Sequence, residues 1–186
     1  MSWQMIPLED VAPTPWRNGG GVTRELIAWP TPQDWDWRIS VAEVEKDGPF
    51  SRFEGVERWF AVLGGAGVRL TLDGRTHELT AQSAPIRFDG AQDCKCELIA
   101  GLTEDFNLML KHGHTRARLL RVLGALDVEV EPGTRVAVYA WDEPVQVQVD
   151  RQFVTVPPHT LAWRALADGA SVRIEAPTAL WMEMAR

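Results

Sequence analysis

Val68-Arg69-Leu70-Thr71-Leu72-Asp73-Gly74-Arg75 is the stretch that decides the fold. Val68, Leu70 and Leu72 alternate with Arg69, Thr71 and Asp73, so a strand here turns apolar groups to one face and polar groups to the other. Asp73-Gly74 then supplies a residue pair suited to a two-residue hairpin turn, whose central positions need positive φ. The pattern recurs in Val145-Gln146-Val147-Gln148-Val149-Asp150. At an offset of about 76 residues, Trp59-Phe60-Ala61-Val62-Leu63 matches Arg135-Val136-Ala137-Val138-Tyr139. Further on, Cys96-Glu97-Leu98-Ile99-Ala100 falls opposite Val172-Arg173-Ile174-Glu175-Ala176, and Asn107-Leu108-Met109-Leu110 opposite Met182-Glu183-Met184-Ala185. Four strand-like segments in one order and spacing imply two tandem copies of a small antiparallel β-barrel. Trp37, Ile39 and Val41 alternate with Arg38, Ser40 and Ala42 in the same way, and no segment carries a capped helical stripe. The fold class is all-β, sandwich or barrel.

A chain of 186 residues is long enough to bury a real core, as one large domain or two small ones. The repeat divides it into 1–115 and 116–186, with exchange of strands between the halves left open. The first half holds most of the clustered polar groups and is expected to carry the pocket; the plainer second half, with Pro157-Pro158, is expected to be mainly structural. A formal charge of −7 argues against nucleic acid as a partner, because no basic stripe is available to displace counterions. No apolar run approaches a membrane span, and Met1-Ser2-Trp3-Gln4-Met5 lacks the charged start and apolar core of a signal peptide, so a cytoplasmic protein is expected. A homodimer is left open. Cys94 and Cys96 share one strand face, where they are poorly placed to bridge and too few to complete a zinc site; buried reduced thiols are expected.

Pro15-Trp16-Arg17-Asn18-Gly19-Gly20-Gly21-Val22-Thr23-Arg24-Glu25-Leu26-Ile27 packs polar groups around three glycines. Glycines free the backbone and remove side chains that would hold a ligand away, so this segment reads as one wall of a polar pocket, or as a turn whose charges face water. In Gly48-Pro49-Phe50-Ser51-Arg52-Phe53-Glu54-Gly55-Val56-Glu57-Arg58-Trp59 a punctuated loop with two phenylalanines leads to an arginine at a strand start. Arg58 there can project a planar fork towards a carboxylate or phosphate, or pair with Glu54 or Glu57 at the surface. In Asp105-Phe106-Asn107-Leu108-Met109, the alternation puts Asp105, Asn107 and Met109 on one face, which either turns into a pocket or leaves Asp105 at a turn and Asn107 facing solvent.

Metal and nucleophile chemistry find little support. His112-Gly113-His114 reads as a connecting loop, His77 lies beside a hairpin turn and His159 follows two prolines, so no metal or other cofactor is expected. There is no Gly-x-Ser-x-Gly elbow, and the glycines lack the Lys-Ser/Thr ending of a phosphate loop.

The motifs from Pro15 to Glu25, Trp37 to Ala42, Asp47 to Arg58 and Asp105 to Met109 together resemble the HutD/Ves family, in family order across roughly the first 110 residues. The resemblance implies a cupin fold with two barrels in one chain, a bicupin, and association with bacterial histidine utilisation, moderated rather than catalysed. It implies a small acidic ligand such as urocanate and no histidine-rich metal motif. Lys111-His112 stands where the family usually shows two arginines. The expected ligand-binding set follows: Arg58 for the carboxylate with Arg24 as its alternative, and Asn18, Thr23, Ser40 and Asn107 as hydrogen-bonding groups. Glu25 would hold Arg24 or accept from a ligand N–H, and Phe50, Phe53 and Met109 would form apolar walls. The rival readings are a metal-free isomerase or hydrolase with Glu25 or Asp105 as base, and an interaction module whose tryptophans form an exposed docking face.

Overall fold

The computed structural model describes residues 2–186. Its strands are β1 (Gln4–Pro7), β2 (Thr14–Pro15), β3 (Gly21–Pro30), β4 (Trp35–Val44), β5 (Gly48–Pro49), β6 (Val56–Gly64), β7 (Val68–Leu72), β8 (Arg75–Leu79), β9 (Ile86–Asp89), β10 (Cys94–Leu98) and β11 (Thr103–Lys111). They continue as β12 (Arg116–Val130), β13 (Arg135–Ala140), β14 (Val145–Val149), β15 (Gln152–Val156), β16 (Thr160–Ala165) and β17 (Ala170–Ala185). The only helical element among the described residues is a 3₁₀ turn at Leu8–Asp10. The all-β expectation holds.

Two compact units make up the chain, Val11–His114 and the pair of segments Met1–Asp10 and Thr115–Arg186. The linear division at 115/116 left residues 1–10 with the first half. In the structure β1 instead adds to the edge of the second unit's sheet, pairing antiparallel with β16 in the register Gln4↔Trp163 to Pro7↔Thr160. A strand's edge partner is fixed by long-range hydrogen bonds and leaves no local mark in the sequence.

In the unit Val11–His114 a six-stranded sheet, β2-β3-β4-β11-β6-β9, faces a four-stranded one, β5-β10-β7-β8. Alternation sets what lies between them. Val68, Leu70 and Leu72 from β7 meet Ala42, Val44, Phe60, Val62, Phe88, Cys94 and Cys96 in one core, while Arg69 stays outside. Both cysteines are buried free thiols. The β7–β8 hairpin closes as expected, with Leu72 opposite Arg75 and positive φ at Asp73 (45°) and Gly74 (82°).

The other unit forms the sheet β1-β16-β13-β17-β14-β15, with β12 alongside β17. Pro177 interrupts the β17 ladder, and there the strand changes partner, from β14 on its N-terminal side to β13 beyond. The pairings repeat those of the first unit: β6 with β11 as β13 with β17, and β7 with β10 as β14 with β17. The registers correct the sequence alignment. Val62 faces Asp105 and Val138 faces Trp181, so Asn107 corresponds to Glu183 and not to Met182. Leu72 faces Cys94 and Val149 faces Val172, so Val172 corresponds to Cys94, two residues from the sequence match and on the same face. All nine tryptophans are buried or half-buried, so none stands out as the exposed docking face of the rival interaction-module reading.

The three glycines of Asn18-Gly19-Gly20-Gly21 differ in what they do. Gly19 takes φ +64°, and a Cβ on Gly21 would stand 2.2 Å from the Glu43 carbonyl oxygen where β3 meets β4. We expect Gly21→Ala to destabilise the protein by about 1–3 kcal/mol or more through this overlap. Gly48→Ala, whose Cβ meets nothing within 4 Å, should change stability by roughly 0.5 kcal/mol or less. Denaturant midpoints of the two variants check the contrast.

Candidate functional site

One face of the six-stranded sheet builds a cavity of about 600 Å³ within the unit Val11–His114. Strand registers stack its lining in rungs. Glu25, Ser40, Asn107 and Phe60 stand side by side across β3, β4, β11 and β6. One rung on are Arg38, Met109, Arg58 and Phe88 across β4, β11, β6 and β9, and on the other side are Thr23, Ala42, Asp105 and Val62. Period-two alternation sends Trp37, Ile39, Val41, Phe106 and Leu108 to the opposite face, where they too are buried.

Arg58 is 4% exposed, and its guanidinium carbon lies 5.4 Å from the Phe50 ring, 5.6 Å from Phe53 and 5.2 Å from Phe88. Its Nη2 donates to Asn107 Oδ1 at 2.9 Å, and Nη1 reaches the Ser51 carbonyl at 3.4 Å. Nε is buried with no partner. The surface pairing with Glu54 or Glu57 does not occur: Glu57 accepts from the Trp59 indole and lies near Arg87. Burial pulls the Arg58 pKa down to about 10, opposed by the neighbouring Cys94 and helped by Arg38, so the group stays a cation at neutral pH. Arg38 shares the Phe53 ring at 5.3 Å, reaches Glu25 Oε2 at 3.4 Å, and also has an unpartnered buried Nε. Its pKa too is lowered by burial, with Glu25 opposing.

Asp105 is fully buried. Oδ2 accepts from the Thr103 hydroxyl at 3.0 Å, while Oδ1 has no partner. Burial raises its pKa to about 8; the Thr103 hydrogen bond works against that and Glu104 adds to it. At neutral pH the carboxylic acid therefore dominates, which suits a hydrogen-bond donor better than a general base.

The Trp16–Gly21 turn closes one side. Trp16 donates from its indole to Thr23 Oγ1 at 2.7 Å and meets the Phe50 ring edge-on at 6.1 Å. Asn18 Oδ1 accepts from the Gly20 amide at 3.0 Å, so the asparagine braces its own turn while lining the cavity with Arg17. The glycines themselves are not in the wall; their neighbours are.

The cavity gathers Arg58, Asn18, Thr23, Glu25, Ser40, Asn107, Phe50, Phe53 and Met109 from the expected set. Arg24 is a correction. It sits between Thr23 and Glu25 on the strand, points to the other face, and pairs with Glu43. Glu25 accordingly does not hold Arg24 but meets Arg38. Arg38 went unrecognised, although its place two residues before Ser40 put it on the same face.

His112 and His114 lie in the turn after β11, near Asp89 (3.9 Å) and Asp36 (2.6 Å) respectively. Among the described residues no group of three or more His, Cys, Asp or Glu is placed to hold a metal ion. Burial raises the Cys94 thiol to about 11 and Cys96 higher still. No helix among the described residues is long and apolar enough to cross a membrane.

The architecture is that of cupin-like β proteins: a cupin conserved-barrel domain protein from Leptotrichia buccalis matches with a TM-score of 0.56 over 98% of this chain and 96% of its own, at 10% identity, a likeness of fold alone. Within that class the chain belongs to the HutD family, whose profile matches residues 8–184. HutD from Pseudomonas fluorescens SBW25, solved in a formate condition, gives a TM-score of 0.83 at 28% identity, covering 98% of each chain. An uncharacterised 21.2 kDa protein in the hutC 3′ region of Pseudomonas putida is 36% identical over 118 residues, 62% of each chain. Protein Ves of Escherichia fergusonii is 37% identical over 107 residues, 56% of each. The match thus spans less than two thirds of the length of these curated relatives.

The raised Asp105 pKa carries a sign for stability. The folded state holds its proton up to about pH 8, whereas an ordinary carboxyl releases it near 3.8, so the native state binds more protons across that window. Stability from this group is complete below the lower value and is lost as pH rises through the upper one. Thermal melting against pH should show Asp105→Asn gaining on the wild type as pH rises towards 8. Parallel curves would contradict it.

Proposed function

We propose that this chain is a metal-independent small-molecule-binding protein of the HutD/Ves type, a bicupin that takes a small carboxylate of the urocanate kind and moderates histidine utilisation. One observation carries this reading: Arg58 is a buried cation on a cavity wall with no carboxylate paired to it among the described residues. Leaving a charge buried without a counter-ion is unfavourable, and a ligand carboxylate relieves that cost. Arg58 forms the primary pair with the anion. Asn107, Ser40, Thr23 and Asn18 supply hydrogen bonds, and Phe50, Phe53 and Met109 give flat apolar walls against which a conjugated acid can lie. Glu25 accepts from a ligand N–H at the far edge. Arg24 has no part in the site.

The matched strand pairings of the two units support the bicupin reading, and the cavity lies within the expected first half. The hutC-region name of the Pseudomonas putida relative supports the metabolic setting. Function is assigned as binding without turnover, and the protein as cytoplasmic.

Tryptophan fluorescence or calorimetry with urocanate tests the proposal. A charge-assisted hydrogen bond contributes about 1.5–3 kcal/mol, so Arg58→Ala should weaken binding tenfold or more while far-UV circular dichroism stays native. Arg24→Ala should bind like the wild type. The urocanate absorbance band should stay constant on prolonged incubation; its decay would favour an isomerase or hydrolase. Equal affinity in wild type and Arg58→Ala would remove the arginine from the site.

A further inference from the structure

The carboxylate reading uses one end of the cavity and leaves Asp105 unexplained. Burying a carboxyl group completely is unfavourable unless its oxygens are satisfied, yet only one of the two is. A structural acid would be expected to find partners for both. The β11–β6 ladder shifts register between Glu104 and Asp105, and bulges of this kind re-aim side chains. The residues directly opposite, Ala42 on β4 and Val62 on β6, are small or apolar and offer nothing to pair with. The unsatisfied side chain lines the cavity.

The Thr103 hydrogen bond decides which oxygen is available. Its hydroxyl donates to Oδ2, making that oxygen the acceptor and leaving Oδ1 as the place for a proton. The other titratable groups around Asp105 do not supply a counter-charge. Cys96 from β10 is a thiol held neutral by burial, and Glu104 on β11 is itself acidic. Across the cavity Glu25 is engaged with Arg38, and Arg58 is turned to Asn107.

We propose that Asp105, as a neutral carboxylic acid, is the second recognition group of this cavity, donating from Oδ1 to an unprotonated acceptor on the ligand. The acceptor is a ring nitrogen or carbonyl oxygen at the opposite end from the carboxylate held by Arg58. The spacing suits such a molecule. Asn107, which carries the Arg58 guanidinium, and Asp105 are two residues apart on one strand face, about 7 Å. That is the span of a short conjugated acid ending in a heteroaromatic ring. This proposal rests on the carboxylate reading and narrows it: the cavity selects acids bearing a hydrogen-bond acceptor over acids of equal shape without one. Deprotonating Asp105 removes the donor and sets a negative charge against the acceptor's lone pair, so the selection weakens at alkaline pH.

The test compares urocanate with trans-cinnamate, whose ring carries no acceptor, on the full-length wild type, Asp105→Asn and Asp105→Leu. Calorimetric affinities are taken from about pH 7.5, where the urocanate imidazole is neutral, to about pH 9.5, spanning the Asp105 transition near 8. The wild type should prefer urocanate by about tenfold or more at neutral pH, because a site built to hydrogen-bond a ligand group rejects the analogue lacking it. That preference should shrink as pH rises through the transition. Asp105→Leu should bind cinnamate within about threefold of the wild type and lose the preference. Asp105→Asn, which keeps a donor but cannot ionise, should retain the preference and flatten its pH profile. If Asp105→Leu does not fold, the pH profiles of wild type and Asp105→Asn decide alone. Equal binding of the two acids by the wild type, or a preference that neither pH nor Asp105→Leu changes, overturns this proposal and leaves the carboxylate reading standing. Binding of neither acid overturns both.

Discussion

A guanidinium buried among three phenyl rings is the constraint on which the organisation of this cavity depends. Arg58 is kept from water by Phe50, Phe53 and Phe88, and the strong hydrogen bond it makes is to a neutral amide, Asn107. Ring quadrupoles offset part of the lost hydration, but they do not neutralise the charge. Such a cation keeps its place only because the sheet holds it rigidly. Asn107 is fixed between β4 and β6, and Phe50 is held by packing against Trp16 and Phe60. The polar groups facing the cavity are therefore arranged before any ligand arrives, and ordering them contributes little to the cost of binding.

The sheet's alternation creates this arrangement, and it also explains which residues could be read from the sequence. Once β11 is recognised as a strand, Asn107 and Met109 must share a face, and the aromatic start of β6 makes Arg58 a candidate for the interior. Arg24 failed for the same reason that its neighbours succeeded. Thr23 and Glu25 face the cavity, and a residue between them on an extended strand cannot. Applying that parity to Arg38 and Ser40 would have found Arg38. Its cost of burial is visible in the lowered pKa and the unpartnered Nε.

Other features have no local signature. The pairing of β1 with β16 is a choice of edge partner between distant segments. Three identical glycines look alike in sequence, yet one takes a left-handed backbone and another yields to the Glu43 carbonyl. Asp105 was legible as to face, but its unsatisfied oxygen depends on where a register shift falls and on which oxygen Thr103 takes. The match of Cys96 with Val172 lies two residues from the true one, because alternating apolar patterns resemble one another at every even shift and only the hydrogen-bond register separates them. At the last strand the match lies one residue off, because Met182-Glu183-Met184-Ala185 has apolar residues at positions of either parity.

That corrected register explains why the two units differ in chemistry. Opposite Val138, the position equivalent to Asp105 is Trp181, fully buried in its own unit's core among valines and alanines. The position equivalent to Asn107 is Glu183, which accepts from the Trp181 indole at 2.9 Å. A large ring occupies the volume that a small carboxyl leaves open, and the polar atoms of the pair satisfy each other. In the unit Val11–His114 the same two positions hold small polar side chains, one with an unsatisfied oxygen and the other accepting from Arg58, a cation with no anion on the next rung. At these two positions one framework thus yields a filled core where the polar atoms pair internally, and a cavity where they do not.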